Sequence, residues 1–379
     1  MSVLKTMQTK LAALGIFAFC FGYFASYVPY SMMTKMITSG LFEGMSGKHF
    51  SGFEILPAVG TATFIAMYVY LTLSGWWKHS THSTILGVSI PRPRWITFIS
   101  GLCTAGVIIT TTLSYALEGI SIVFAMLLMR GGTLVIAPIV DLIAVKRKRK
   151  IYWPSWAAAA LSLAALFITF SGRAGTTLTL VAIINIACYL LSYFLRFFFM
   201  SNWAKSTDAA EKKRFFTEEQ MVANPVFWGA IMITGLIGSQ MDPASIPGQV
   251  WQGMTTFLSS GYVIHAFLVG IFSYGTGLFG TLIFLDPREN TFTVPASRVS
   301  SVIAGVVATY ALAIFYGSKY PPTSELTGLA LLIVAILFLS YHSIVEKKKR
   351  AHYDPRALEK EAEEVHHPHI LKAQAEKAG

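Results

Sequence analysis

Two arginines carry the strongest chemical signal in this chain. Arg130 and Arg298 each lie about six to ten residues into a long apolar run, toward mid-membrane by the helical rise of about 1.5 Å per residue if those runs cross a bilayer. A guanidinium keeps its proton, so at that depth it costs several kcal/mol unless it faces water, a carboxylate or a bound anion. Helical spacing sets small or polar residues on the same face: Thr133, Ala137 and Asp141 after Arg130, and Ser301, Gly305 and Thr309 after Arg298. Asn185, Tyr189, Ser192 and Arg196 repeat the spacing, and Thr104, Thr111, Tyr115 and Glu118 follow it more loosely. Polar stripes are penalised against lipid and suit the wall of a wet cavity. The chemistry that fits is recognition of an anion by fixed positive charges. The competing reading makes the arginines structural cations that snorkel or pair with Glu118 or Asp141.

Other candidates are weaker. Tyr23, Tyr27 and Tyr30 give one run an aromatic face. Such a face serves packing, or, with Tyr27 and Tyr115 beside a cavity, offers hydroxyls to a polar substrate. His265, Asp141 and Glu118 are the candidates for proton coupling, His265 because an unperturbed imidazole titrates near pH 6.5; a satisfied core histidine is the alternative. Arg196 is expected to snorkel to the cytoplasmic interface. His366, His367 and His369 read as part of a solvated tail, so no metal site is expected. Paired intramembrane Asp, His-Glu-x-x-His and clustered His with Asp on adjacent runs do not occur, which argues against an enzyme. No cofactor is expected.

The elements that must position these residues follow from composition. The 379 residues are 54% hydrophobic and 13% charged, with a mean hydropathy of +0.56, too apolar for soluble cores. The net charge of +11 falls in short clusters between apolar runs, as loop charges do, so nucleic acid is not an expected partner. Cys20, Cys103 and Cys188 sit singly in apolar runs and suggest neither disulfide nor zinc. Ten runs approach the roughly 20 residues a membrane crossing needs: 11–33, 53–74, 95–116, 120–145, 153–171, 176–200, 221–240, 259–284, 292–317 and 326–344. The first outlasts a signal peptide and lacks a cleavage site, so it stays as a helix. Lys and Arg collect on alternate links, in 146–150, 212–214 and 347–350 among others, against only Lys35, Lys48, Arg173 and Lys319 on the opposite side. Both termini are thus expected in the cytoplasm. Residues 346–379 read as a cytosolic tail.

Sliding the chain along itself by 168 residues places Pro57 on Pro225, Glu118 on Asp286, Arg130 on Arg298, Tyr152 on Tyr320 and Pro154 on Pro322. A repeat of five crossings must re-enter the membrane upside down. The expected fold is therefore an all-α integral membrane protein of about ten helices in two inverted five-helix repeats, 1–172 and 173–345. Such a pair can exchange inward-open and outward-open conformations.

The stretch Phe124-Ala-Met-Leu-Leu-Met-Arg-Gly-Gly through Pro138, the link Lys146-Arg-Lys-Arg-Lys and the opening Trp153-Pro-Ser-Trp resemble the drug/metabolite transporter superfamily, EamA-like members included. Leu128-Met-Arg-Gly-Gly is similar to its nucleotide-sugar and triose-phosphate branch. The resemblance spans about residues 10–345 and implies ten helices in two inverted halves around a central cavity. The first run has no Glu, the residue small multidrug members use, which argues against cationic drug export.

These readings together predict a secondary transporter of a small organic anion, phosphorylated or nucleotide-sugar-like, working by alternating access and by exchange. Arg130 and Arg298 supply charge, and Thr133, Ser301, Asn185, Tyr189, Ser192, Tyr27 and Tyr115 shape the polar wall. A proton-coupled exporter of amino acids or other zwitterions, and a lipid translocator, are the alternatives. The expected partners are the small-molecule substrate and the bilayer, with monomer and homodimer both open. The host is a bacterial inner or plasma membrane or a eukaryotic endomembrane.

Overall fold

The computed structural model describes residues 16–45, 47–85, 87–116, 122–143, 153–171, 180–204, 208–286 and 290–353. Its helices are α1 (Ile16–Thr38), α2 (Gly52–Ser74), α3 (Trp95–Ala116), α4 (Ile122–Ile143), α5 (Trp153–Ser171), α6 (Leu180–Phe199), α7 (Ala209–Gly238), α8 (Ile246–Met254), α9 (Val263–Phe284), α10 (Asn290–Tyr316) and α11 (Thr323–Tyr353). Each of the ten apolar runs falls on one of these helices, and α8 is an addition. A π-helical turn, Met200–Ala204, extends α6. Between α2 and α3 the strands β1 (Thr81–Ile85) and β2 (Val88–Arg92) form an antiparallel hairpin.

The helices α1 to α4, α6, α7, α9 and α10 are long and apolar enough to cross a membrane. Helices α5 and α11 hold shorter apolar stretches, Trp156–Ala165 and Thr323–Phe338. Exposed large hydrophobics are numerous along these helices, Phe17, Phe167 and Phe315 each more than 70% exposed, as suits a lipid-facing surface. The chain is an all-α, multi-pass membrane protein.

Local chemistry sets the helix ends. Ser51 and Glu54 form a reciprocal capping box at the start of α2, and Gly75 closes that helix in the left-handed region at φ 67°. Asp208 caps α7 by accepting from the Ala210 amide at 2.8 Å. Within the spans, hydroxyls bond back to carbonyls one turn earlier, as Thr63, Thr111 and Ser114 do, which removes a polar group from the apolar interior at little cost.

Helix packing has a paired character. α9 lies against α1 and α2, while α3 lies against α6 and α7; α10 touches α1, while α4 touches α6. Helix α4 also meets α10, and α5 meets α11. Two glycines permit close approaches within these pairs. A Cβ on Gly270 of α9 would stand 2.4 Å from the Val59 carbonyl oxygen of α2, and one on Gly101 of α3 would stand 2.6 Å from the Val222 Cβ of α7.

Candidate functional site

Three buried arginines converge on the middle of the bundle, and they differ in how they are satisfied. Arg130, on α4, is 1% exposed. Its guanidinium donates to the hydroxyls of Tyr27 on α1 and Tyr189 on α6, and its Cζ lies 5.2 Å and 5.8 Å from the centroids of those rings. The two tyrosines are held by aromatic ladders. Tyr23 packs on Tyr27 at 5.2 Å and Tyr27 on Tyr30 at 5.6 Å; across the bundle Tyr189 packs on Tyr193 at 4.8 Å and Tyr193 on Phe197 at 5.1 Å. Each ladder follows one face of its helix, at steps of three or four residues.

Arg196, near the end of α6, does not snorkel. It is buried and forms a two-pronged ion pair with Glu219 of α7, Nε to Oε1 at 3.0 Å and Nη2 to Oε2 at 2.8 Å. Thr281 of α9 accepts from the same Nη2 at 2.8 Å. Ser100 and Thr104 of α3 donate to the Glu219 carboxylate at 2.6 Å and 3.0 Å. The pair is therefore closed within the protein, and a buried partner has outcompeted the interface. One residue earlier, Glu218 accepts from the Thr81 and Arg94 amides and from Thr97, and pairs with Arg94 at 2.9 Å, which pins the hairpin to α7.

Arg298, on α10, is the exception. It is wholly buried, and none of its three side-chain nitrogens has a hydrogen-bond partner of acceptable geometry among the described residues. Its nearest company is aromatic: Cζ lies 4.8 Å from the Tyr193 centroid and 5.7 Å from that of Phe284. A permanent cation removed from water with only ring faces beside it is costly.

A small cavity of about 50 Å³ lies among these groups. Tyr23, Tyr27 and Tyr30 line it from α1, Thr104 and Thr111 from α3, and Ser273, Thr276 and Thr281 from α9; Arg130, Arg196, Tyr193 and Phe284 complete the wall. Arg298 stands one aromatic layer behind, across Tyr193 and Phe284. The volume accommodates a few waters.

The structure thus gathers Arg130, Tyr27 and Tyr189 and brings Arg298 alongside. Other sequence candidates lie elsewhere. The Thr133 and Ser301 hydroxyls turn onto their own helices, donating to the Arg130 and Arg298 carbonyls at 2.9 Å and 3.0 Å. Asn185 donates to the Thr110 carbonyl at 2.9 Å and to Ser114 at 2.8 Å, tying α6 to α3. Ser192 packs against Gly106. Asp141 is buried in the last turn of α4, about 16 Å along the helix from Arg130. His265 packs at a tilt against Phe42, ring centroids 4.2 Å apart, in the first turn of α9 and does not line the cavity. The Tyr115 side chain, Glu118 and the tail histidines lie outside the described residues.

Tyr193, Glu219 and Thr281 belong to the site and were not singled out as such from sequence. Glu219 fell in the link before run 221–240, because three consecutive polar residues, Glu218, Glu219 and Gln220, read as loop. Asp208 as an N-cap would have extended the helix back over them.

No family model matches the chain, and no curated protein matches it. Among solved structures, one described as "Crystal structure of protein" is 12% identical, covers 86% of this chain and 96% of its own, and gives a TM-score of 0.46.

Proposed function

We propose that this protein is a secondary transporter for a small organic anion, with ten spans in two inverted five-helix halves and both termini in the cytoplasm. The observation that carries the reading is Arg298, a permanent cation fully buried one aromatic layer behind the cavity, with no counter-charge bound to it among the described residues. Structural arginines in apolar surroundings are paired, as Arg196 is. An anion that entered between Tyr193 and Phe284 would supply the missing acceptor, with Arg130 facing the same space.

The inverted arrangement is supported by helix packing: exchanging α1 with α6, α2 with α7, α3 with α9, α4 with α10 and α5 with α11 turns each contact named above into another or, for α4 with α10 and α5 with α11, into itself. Gly101 and Gly270 fall one residue from the 168-residue register. The present cavity is a contracted state, since pockets that enclose a metabolite run to several hundred Å³. Two positive charges in an empty chamber resist its closure, whereas a bound anion neutralises them, so the expected mode is exchange. The phosphorylated and nucleotide-sugar classes both satisfy this charge requirement.

Counterflow in proteoliposomes tests it. Uptake of a labelled phosphorylated metabolite is expected to accelerate severalfold when the same compound is loaded inside; equal rates with and without internal substrate would contradict exchange. A lipid translocator is favoured by one feature, an apolar groove of about 580 Å³ between α2 and α9, lined by Ile65, Val69, Ile271 and Leu278. Scrambling of a fluorescent phospholipid by the same proteoliposomes would decide for that reading.

A further inference from the structure

The two tyrosine ladders carry a symmetry of their own. The step from Tyr23 to Tyr189 and the step from Tyr27 to Tyr193 are both 166 residues, two short of the step between the arginines. Under that exchange the group Arg130 with Tyr27 and Tyr189 becomes Arg298 with Tyr193 and Tyr23. The mate of one contact is present as a near neighbour, since Arg298 lies over the Tyr193 ring at 4.8 Å, and Tyr23 lines the same cavity as Tyr193. The hydrogen bonds are not mated. Arg130 donates to both of its tyrosines, whereas Arg298 lies close to Tyr193 without a hydrogen bond of acceptable geometry to either of its own.

We infer that these are two equivalent arginine–tyrosine clamps that close alternately, the Arg130 clamp being closed and the Arg298 clamp open in this conformation. Tyr27 and Tyr189 lie near the midpoints of α1 and α6, one turn beyond Tyr23 on the first and one turn before Tyr193 on the second, so in the inverted arrangement the Arg130 clamp stands nearer one end of the bundle and the Arg298 clamp, with Tyr23 and Tyr193, nearer the other. The tyrosine hydroxyls act as stand-in acceptors for whichever arginine holds no anion, here Arg130 in the cavity wall. The open arginine is then the one that receives the anion, and closing its clamp returns the anion to the far side.

This rests on the alternating-access reading above, yet its test needs no substrate. Hydrogen–deuterium exchange of the full-length protein in lipid nanodiscs is compared for wild type, Tyr27→Phe/Tyr189→Phe and Tyr23→Phe/Tyr193→Phe, which keep every ring. The first double variant weakens the closed clamp, so exchange is expected to rise at least twofold in 31–38 and 180–188 and to fall in 16–22 and 197–204. The second removes bonds made only in the opposite state, so the same segments are expected to move the other way. The single variants Tyr189→Phe and Tyr193→Phe serve should either double variant misfold. Shifts of the same sign in both, or none in either, would overturn the clamps, whereas failure of counterflow with opposite shifts intact would overturn only the anion reading.

Discussion

Arg196 and Arg298 are the same residue in comparable burial, but the protein treats them oppositely. Arg196 is enclosed by a carboxylate and a threonine, and that carboxylate by two further hydroxyls; Arg298 is enclosed by aromatic rings. A fold able to build a four-donor shell around Glu219 had the means to neutralise Arg298 and has not. On the function proposed above, the difference separates a cation kept for architecture from one kept for a ligand, with Arg130 and its two tyrosines between them.

The comparison breaks most visibly at Glu219. Glu219→Ala leaves Arg196 buried and uncompensated, a loss of about 3–5 kcal/mol that should appear as a large fall in thermal midpoint in detergent and as aggregation on gel filtration. Adding Arg196→Met should recover much of it; a wild-type midpoint for Glu219→Ala would remove the pair from the architecture. Arg298→Met should do the reverse, raising stability by about 1–4 kcal/mol while counterflow is lost. A fall like that of Glu219→Ala would class Arg298 with Arg196. Tyr189→Phe, which deletes one acceptor from Arg130, should cost about 1.5 kcal/mol by the same melting assay, and no change would mean that the bond adds nothing in this state. Asn185→Leu cuts the tie between α6 and α3, where interhelical hydrogen bonds average about 0.6 kcal/mol, and should leave counterflow rates within twofold. A larger loss of transport would return Asn185 to the cavity wall.

Much of the architecture was legible because apolar run length reports directly on membrane crossing. All ten runs fall on helices, and the two mid-run arginines are where the bundle converges. The α2–α3 hairpin was missed because its five-residue strands, Thr81–Ile85 and Val88–Arg92, are too short and too polar to stand out from a link. Helical periodicity found the polar stripes but not their orientation within the bundle. It put Thr133 and Ser301 on the arginine face without showing that each hydroxyl would bond back to its own helix, a choice open to any Ser or Thr in an apolar span. It left Arg196 to the interface because the partner that holds it inside, Glu219, is on another helix and lay in an apparent loop. A side chain whose alternative is a buried ion pair cannot be placed from its own segment alone.

The central claim is that Arg298 waits for an anion. Purified protein in detergent, titrated with inorganic phosphate and with phosphorylated, carboxylate and zwitterionic metabolites, should rise in thermal midpoint with at least one anion, at saturation by several degrees. The rise should vanish in Arg298→Ala while the folded baseline is kept. Midpoints that ignore every anion, or that rise equally in wild type and Arg298→Ala, would contradict the account.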